Sequence, residues 1–310
     1  MKLLSSLTIA TAILAFAPLS FAGDHGHEHS HDNSSAAAKP EVKITSNEVA
    51  SGIYMMMGQG GNITVSIGED GTFLVDDQYA PMSEKISAAI KNAGGDTPRF
   101  LLNTHWHGDH TGGNKAFGEQ GTIIVAHENV RKRLTSDQFV KAFNMKSGPQ
   151  PKAALPVITF TDGINFHWNN NTVEAHHVAN AHTDSDSYVY FKESNVVSTG
   201  DLYFAGFYPF IDPDSKGSLA GMIAGVTEIL AFINNETKVI PGHGPLSNKN
   251  ELTAYRDMLQ NVYDRIKALK EDGKSLDEII AAKPTEDFDD QWADGIFTAD
   301  KWISIIYPTI

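Results

Sequence analysis

The sequence predicts an α/β protein in which two β-sheets pack face to face and helices cover their outer faces. Short strand-like segments followed by helical segments occur twice along the chain, once in each half. Residues 41–310 contain no linker-like stretch that would separate two independent domains. The chain has 310 residues, 41% of them hydrophobic, which is enough for one large domain with a sizeable core.

In the first half, several strands precede the first helix. Gly60-Gly61 and Asp70-Gly71 supply turn residues between neighbouring strands. The segment RFLLNT has the continuous apolar character of a buried strand. Strands are predicted at 42–46, 52–57, 62–68, 72–76, 99–104 and 122–127, and helices at 83–93 and 128–134, with a short helical piece after residue 110.

The second half repeats this order of elements. Strands are predicted at 157–160, 164–168, 172–178, 187–192 and 195–199, followed by a helix at 218–233 and a strand that runs into a loop at 237–244. A last helix, at 250–272, carries apolar residues three and four positions apart, which is typical of a helix with one face on a core. These residues are Leu252, Tyr255, Leu259, Val262, Ile266 and Leu269.

The N-terminal residues have the composition of a secretory signal. A lysine, a short apolar run and small residues before position 23 predict a cleaved signal peptide at residues 1–22. Residues 23–40 are rich in His, Ser, Ala and Asp without apolar periodicity, which predicts a disordered leader. We therefore expect a periplasmic or secreted protein whose folded domain is formed by residues 41–310.

Composition excludes several classes of protein. The net charge of −14 without a basic stripe disfavours nucleic-acid binding. Beyond the signal, no segment is long and apolar enough to cross a bilayer, so we expect no membrane span in the mature form. Because the chain has no cysteine, any metal must bind to nitrogen and oxygen ligands.

The segment HWHGDH, at residues 105–110, has histidines two residues apart, as in many metal sites. A strand ends just before it, so His105 and His107 point the same way. Gly108 then allows a turn from which Asp109 and His110 present two more donor atoms. Unpaired, these groups would carry a desolvation cost that a divalent metal offsets.

This motif resembles the signature of the metallo-β-lactamase-fold superfamily of metal-dependent hydrolases. The remaining elements of that family follow in order over roughly residues 42–246. NAHTDSDS contains His182, which is similar to the family's isolated third histidine. VVSTGDLYF contains Asp201, similar to its bridging aspartate, and VIPGHGP contains His243, similar to its last ligand.

The resemblance implies a four-layer αβ/βα sandwich of two mixed β-sheets, with the catalytic domain at residues 41–310. It also implies two metal sites, with zinc as the default ion. The implied ligands are His105, His107 and His182 for one ion, Asp109, His110 and His243 for the other, and Asp201 as a bridge. A hydroxide shared by the two ions would attack the substrate, and Asp109 would orient it and help to carry its proton.

Three aspartates refine this interpretation. The best-known lactamase subclasses have cysteine or serine where this chain has Asp201, so Asp201 favours the broader hydrolases, such as thioesterases, lactonases and phosphodiesterases. Asp76 matches a strand-end aspartate that fixes a ligand histidine from outside the metal site. Asp186 is a similar candidate.

We leave four other histidines outside the site: His127, His167, His176 and His177.

Two further segments are candidates for shaping the pocket. YMMMGQGG, at residues 54–61, resembles the flap over the site in several relatives, and methionines beside glycines would form an adaptable apolar cover. DLYFAGFYPF, at 201–210, contains five aromatic residues, of which some are expected to line the pocket and others to pack beneath it.

A second histidine run, HGHEHSHD at 25–32, lacks the strand and loop that frame HWHGDH. Such a tract binds zinc or copper loosely and cannot hold a preorganised nucleophile. We therefore expect HWHGDH to be catalytic and the leader to be at most a metal-gathering tail.

The sequence leads to a secreted or periplasmic dinuclear zinc hydrolase for a small ester, thioester, lactone or β-lactam. One alternative is a mononuclear iron sulfur-dioxygenase of the same fold, and another is a non-catalytic periplasmic metal-binding protein. The expected partner is a small-molecule substrate. The sequence does not fix the oligomeric state.

Overall fold

The computed structural model describes residues 42–310, and the predicted signal peptide (1–22) and His-rich leader (23–40) lie outside the described residues. The strands are β1 Thr45–Ala50, β2 Ile53–Met57, β3 Ile63–Gly68, β4 Gly71–Val75, β5 Phe100–Asn103, β6 Ile123–His127, β7 Gln138–Val140, β8 Met145–Ser147, β9 Ile158–Phe160, β10 Gly163–Trp168, β11 Asn171–His177, β12 Ser187–Phe191, β13 Val196–Ser198 and β14 Lys238–Ile240. The α-helices are α1 Ser83–Asn92, α2 Gly108–Thr111, α3 Asn114–Glu119, α4 Glu128–Leu134, α5 Leu219–Phe232, α6 Lys249–Glu271, α7 Leu276–Ala281, α8 Asp289–Trp292 and α9 Ala299–Ile306.

Two large mixed sheets form the centre of the fold. The first has the order β1-β2-β3-β4-β5-β6-β9, and the second has the order β10-β11-β12-β13-β14. In the first sheet, β1 to β4 are antiparallel, whereas β4, β5, β6 and β9 are parallel. In the second, β10 to β13 are antiparallel and β14 is parallel to β13. β7 and β8 form a separate hairpin.

Three groups of buried apolar side chains define four layers. One group lies between the sheets, where Phe73 and Leu102 of the first sheet join Phe191 of the second. Another joins the first sheet to α1 through Ile86. The third and largest packs the second sheet against α5, α6 and the C-terminal helices. The predicted four-layer α/β sandwich is therefore confirmed.

The methionines of residues 54–61 do not form the expected cover. Met55 belongs to the core between the sheets, and Met56 belongs to the core under α1. Both are buried because successive side chains of a strand point to opposite faces of the sheet, and both faces of β2 are covered. Only the turn after Met57 reaches the site described below.

Most predicted elements agree with the structure to within two residues at each end. The first strand is an exception, since it was predicted at 42–46 and spans Thr45–Ala50. Pairing with β2 decides its position, and its polar side chains are tolerated because it is an exposed edge strand. Helix α6 buries the predicted apolar stripe, with Leu269 only partly buried at its end.

The candidate metal ligands lie where strands of both sheets end. Residues 105–110 follow β5, His182 lies between β11 and β12, Asp201 follows β13, and His243 follows β14. Because β5, β13 and β14 take part in parallel pairs, their carboxyl ends bring the following loops to one edge of the sandwich. Among residues 42–310, no helix has both the length and the apolar character needed to span a membrane.

Candidate metal centre

The first cluster consists of His105, His107, His182 and Asp201, whose donor atoms lie within 4.8 Å of one another. His182 Nε2 is 2.8 Å from His107 Nδ1 and 3.4 Å from Asp201 Oδ2. Asp201 Oδ2 is also 3.8 Å from His105 Nε2. All four residues are buried, so this cluster is closed to solvent.

The second cluster consists of Asp109, His110 and His243, again with donor atoms within 4.8 Å of one another. His110 Nε2 lies 3.4 Å from His243 Nε2, and Asp109 Oδ2 lies 3.3 Å from that same His243 nitrogen. Asp201 Oδ1 is 3.0 Å from His110 Nε2 and 3.4 Å from His243 Nε2. The two oxygens of Asp201 therefore face different clusters, so that this one residue joins them.

Four of the five imidazoles are held from behind by a partner on their other nitrogen. The contacts are His105 Nδ1 to Thr104 Oγ1 at 3.1 Å, His107 Nε2 to Asp212 Oδ2 at 3.1 Å, His110 Nδ1 to Asp76 Oδ2 at 2.8 Å, and His182 Nδ1 to the Phe210 carbonyl at 2.7 Å. Such partners fix the orientation of a ring and direct its free nitrogen at the cluster.

Two buried atoms of the first cluster lack a hydrogen-bond partner: His105 Nε2 and Asp201 Oδ1. Asp201 Oδ1 lies close to His110 Nε2, but outside the geometry of a hydrogen bond. Buried polar atoms are normally satisfied, because an unpaired one costs free energy. Converging nitrogen and oxygen donors with such unpaired atoms suit a divalent metal ion, and the residues present therefore fit the metal that their pattern implies.

The electrostatics of the two clusters are opposite. In the first, burial lowers the pKa of His182 to about 4 and that of His105 well below its usual value. In the second, burial acts in the same direction on His110 and His243, but the surrounding carboxylates outweigh it. They raise the pKa of His243 to about 9 and that of His110 well above its usual range.

Asp76 occupies the position expected from the sequence, behind a candidate ligand histidine. Its backbone is left-handed, with φ of 61°, a conformation that costs free energy for a residue other than glycine. The surroundings hold it there: Asp76 accepts hydrogen bonds from Thr104 N and Oγ1 at 2.8 and 2.7 Å and contacts His110 Nδ1. Asp76 thus ties the end of β4 to the motif after β5.

Asp212 is a site residue that sequence reasoning missed. Its Oδ2 contacts His107 and accepts a hydrogen bond from Ser215 Oγ at 2.5 Å. Ser215 Oγ in turn accepts from Trp106 Nε1 at 3.1 Å. Asp212 and His107 are 105 residues apart in the chain, and FIDPDS has no spacing that marks its first aspartate, so only the fold reveals this contact.

Asp186 shapes a loop and does not contact a ligand ring. Its carboxylate accepts hydrogen bonds from Thr183 N and Oγ1 at 2.7 and 2.6 Å, which closes the turn just after His182. Burial raises the pKa of Asp186 to about 8, against the lowering effect of these hydrogen bonds. The candidate role of holding a ligand ring is therefore wrong for Asp186, because its carboxylate is taken up by backbone and hydroxyl donors of its own turn.

The remaining described histidines lie outside the two clusters, as interpreted from the sequence. His127 and His177 stack on each other with ring centroids 3.6 Å apart. His176 stacks on Tyr188, and His167 is exposed on β10. None of the four belongs to either group of converging donor atoms.

Four of the five aromatic residues of 201–210 divide into two sets, and the expected lining of a pocket stays a prediction. Phe204 stacks on His243 at 5.2 Å, and Phe210 stacks on His107 at 5.8 Å, so these two rings flank the clusters. Tyr203 and Tyr208 pack away from the clusters, against Tyr255 and Trp302.

Similar solved structures share this fold. A metallo-beta-lactamase from Pontibacter korlensis is 20% identical, with a TM-score of 0.56 over 71% of this chain and 100% of that one. The DIM-1 metallo-beta-lactamase is 18% identical, with a TM-score of 0.58 over 71% of this chain and 99% of that one. The sec-alkylsulfatase Pisa1 from Pseudomonas sp. is 15% identical, with a TM-score of 0.65 over 85% of this chain and 50% of that one. At these identities, the likeness concerns the fold.

The family of this chain is identified by a match between its sequence and a protein-family model. The model of the metallo-beta-lactamase superfamily matches residues 57–244, more than half of the chain. The match includes the motif after β5 together with His182, Asp201 and His243. This chain therefore belongs to the metallo-beta-lactamase superfamily.

Proposed function

We propose that the protein is a periplasmic or secreted dinuclear zinc hydrolase that acts on a small ester, thioester, lactone or β-lactam. The observation that carries this proposal is the convergence of seven nitrogen and oxygen donors in two groups joined by Asp201. Imidazole and carboxylate donors without thiolate suit zinc, which requires no redox partner. The signal-like N-terminus supports export.

A pair of divalent ions, when bound, supplies a nucleophile from water near neutral pH and polarises the bond to be cleaved. The protein holds the candidate ligands in fixed positions. His107 and His110 are fixed by Asp212 and Asp76, and the buried first cluster excludes bulk water. Fixed donors in a site without bulk water stabilise developing charge more strongly than solvent does.

Asp109 is the candidate proton carrier. Its side chain is the most exposed of the seven, with 17% accessible against 11% for His243. Burial alone would raise the pKa of Asp109, but His110 and His243 outweigh this effect and keep it low. An ionised carboxylate at the open side of the site can orient the attacking water, accept its proton and pass it to the leaving group.

The surroundings of the clusters favour a neutral or apolar substrate. Within residues 42–310, the ion pairs of the seven residues join histidine to aspartate, and none involves lysine or arginine. Phe204 and Phe210 place apolar rings against His243 and His107. No lysine or arginine in these ion pairs adds a recognition site for an anionic group outside the clusters, which supports an uncharged ester, thioester, lactone or β-lactam as the substrate.

A hydrolysis screen of the zinc-loaded protein tests this proposal. Esters, thioesters, lactones, phosphodiesters and β-lactams are compared, with Asp109→Asn as the matched variant. We expect turnover of an uncharged acyl substrate, and a loss of about 100-fold or more in Asp109→Asn, within the range of general acid-base catalysis.

Metal content of the purified protein separates the alternatives. Two zinc ions per chain are expected for the hydrolase. One iron ion with oxygen uptake on a persulfide would instead identify a sulfur-dioxygenase. Bound metal without turnover of any substrate class would indicate a metal-binding protein, and either result would overturn the proposal.

A further inference from the structure

We propose that Asn62 is a positioning residue for the second cluster, which it holds by binding the loop that carries His243. Asn62 lies at the turn between β2 and β3, far in sequence from every candidate ligand. The inference rests on the proposed two-metal function and adds a residue that neither the motif nor the family match singles out.

The loop after β14 is bound by three hydrogen bonds from this one residue. The Asn62 side-chain amide donates to the carbonyls of Pro241 and Gly244, both at 2.9 Å. Its backbone N–H donates to the Gly242 carbonyl at 2.7 Å. The carbonyls on both sides of His243 are thus satisfied by Asn62, and a buried carbonyl that loses its donor costs free energy and moves to find another.

The residue before Asn62 contacts the other half of the second cluster. Gly61 N–H donates to the Asp109 carbonyl at 3.0 Å, and its Cα lies against the ring of His110. A Cβ at Gly61 would overlap the imidazole ring of His110, so only glycine allows this approach. Gly61 and Asn62 together therefore join the chain around Asp109 and His110 to the loop around His243.

The first cluster is anchored by other contacts. His107 and His182 are held by Asp212 and the Phe210 carbonyl. All three hydrogen bonds donated by Asn62 end within residues 241–244. Loss of the Asn62 amide should therefore loosen the second cluster and leave the first unchanged.

Zinc affinity measured on the full chain tests this selectivity. Wild type, Asn62→Ala and His243→Ala are titrated with a competing chelator, and His243→Ala identifies the step that belongs to the second cluster. Asn62→Ala should weaken that step by about 10–100-fold, the usual cost of removing a partner that orients a ligand. The other zinc step should keep its wild-type affinity. All variants carry the same His-rich leader, so zinc bound there cancels in the comparison.

Asn171→Ala is the matched control. Asn171 and Asn62 are each 8% exposed. Asn171 also uses its side chain in hydrogen bonds, donating to Ser194 Oγ at 3.0 Å and accepting from Ser194 N at 2.9 Å, but in contacts that involve none of the seven residues. This variant should bind both ions as wild type does. Where Asn62→Ala fails to fold, Asn62→Ser is measured in its place, because it keeps a smaller polar side chain in the turn.

The outcomes distinguish this inference from the proposed function. Two zinc steps in wild type and an unchanged second step in Asn62→Ala would overturn the role of Asn62 alone. An equal loss in Asn171→Ala would also overturn it, since the effect would then be one of general stability. A single step in wild type would overturn both the two-metal proposal and this inference.

Discussion

The two clusters use the same donor types in different surroundings. In the first, every residue is buried and burial lowers the pKa of His105 and His182. In the second, Asp109 and His243 are partly exposed, with 17% and 11% of their side chains accessible. The comparison shows that the donors of the first cluster are buried, whereas two donors of the second remain accessible to solvent.

The number of carboxylates explains the electrostatic difference. Two carboxylates act on His182 of the first cluster, those of Asp201 and Asp212, and burial outweighs both. Around His110 stand three carboxylates, those of Asp201, Asp109 and Asp76, which together outweigh the effect of burial on its pKa. The carboxylates around the second cluster therefore favour the protonated forms of His110 and His243 and raise their pKa values.

The largest expected effect is that of removing a first-cluster donor. His107→Ala should lose the first-cluster ion and reduce turnover by more than about 100-fold. Removing a residue that only orients a ligand lowers metal affinity or activity by about 10–100-fold, and this variant removes the ligand itself. Zinc content and rate are measured together. His167→Ala is the control, because His167 is exposed and belongs to neither cluster. Full zinc occupancy and rate in His107→Ala would show that the first cluster is wrongly assigned.

Acid should affect the second cluster before the first. The pKa of His243 is raised to about 9 and that of His110 is raised above its usual range, so metal binding at the second cluster must compete with protons near neutral pH. Below about pH 9, the zinc affinity of the second cluster should therefore fall about tenfold per pH unit for each proton that zinc displaces. Burial lowers the pKa of His105 and His182, so these two ligands bring few protons to displace, and first-cluster affinity should depend less steeply on pH than second-cluster affinity.

Zinc titrations at pH 6, 7 and 8 measure this difference. The number of protons released on binding, obtained by calorimetry in buffers of different ionisation enthalpy, gives an independent value. Equal pH slopes for the two zinc steps would contradict the contrast between the clusters.

A smaller effect is expected when one orienting carboxylate is neutralised. Asp212→Asn should weaken the first-cluster ion by about 10–100-fold, because His107 Nε2 loses its charged partner while the ligand itself remains. The second zinc step should be unaffected, since Asp212 contacts Ser215 and His107 and neither residue belongs to that cluster. The chelator titration described for Asn62→Ala also measures both zinc affinities of Asp212→Asn. A weaker second zinc step in this variant would mean that Asp212 supports both clusters.

Prediction from the sequence succeeded where a local pattern has a direct physical meaning. Helix α4 spans Glu128–Leu134, as predicted, because the signals that favour a helix lie within a few neighbouring residues. His105, His107, Asp109 and His110 were recognised as one group because a strand followed by a tight turn brings them together without long-range contacts.

Contacts between distant parts of the chain were harder to predict. Asp212 holds His107, and Asn62 binds the loop of His243, across 105 and about 180 residues respectively. Neither residue type is unusual at its position, and each is equally suited to an ordinary turn. The expected methionine cover failed for a related reason, since burial of both faces of β2 depends on the second sheet and on α1.

The sequence by itself determined the fold class, the family and the set of candidate donors, because strand and helix periodicity and motif spacing are properties of short segments. Only the tertiary structure decided how those donors divide into a buried first cluster, in which the pKa values of His105 and His182 are lowered, and a partly exposed second one, in which those of His110 and His243 are raised. The reason is that burial and Coulomb interactions depend on distances between groups that the chain separates by up to about 180 residues, and these distances exist only once both sheets have packed.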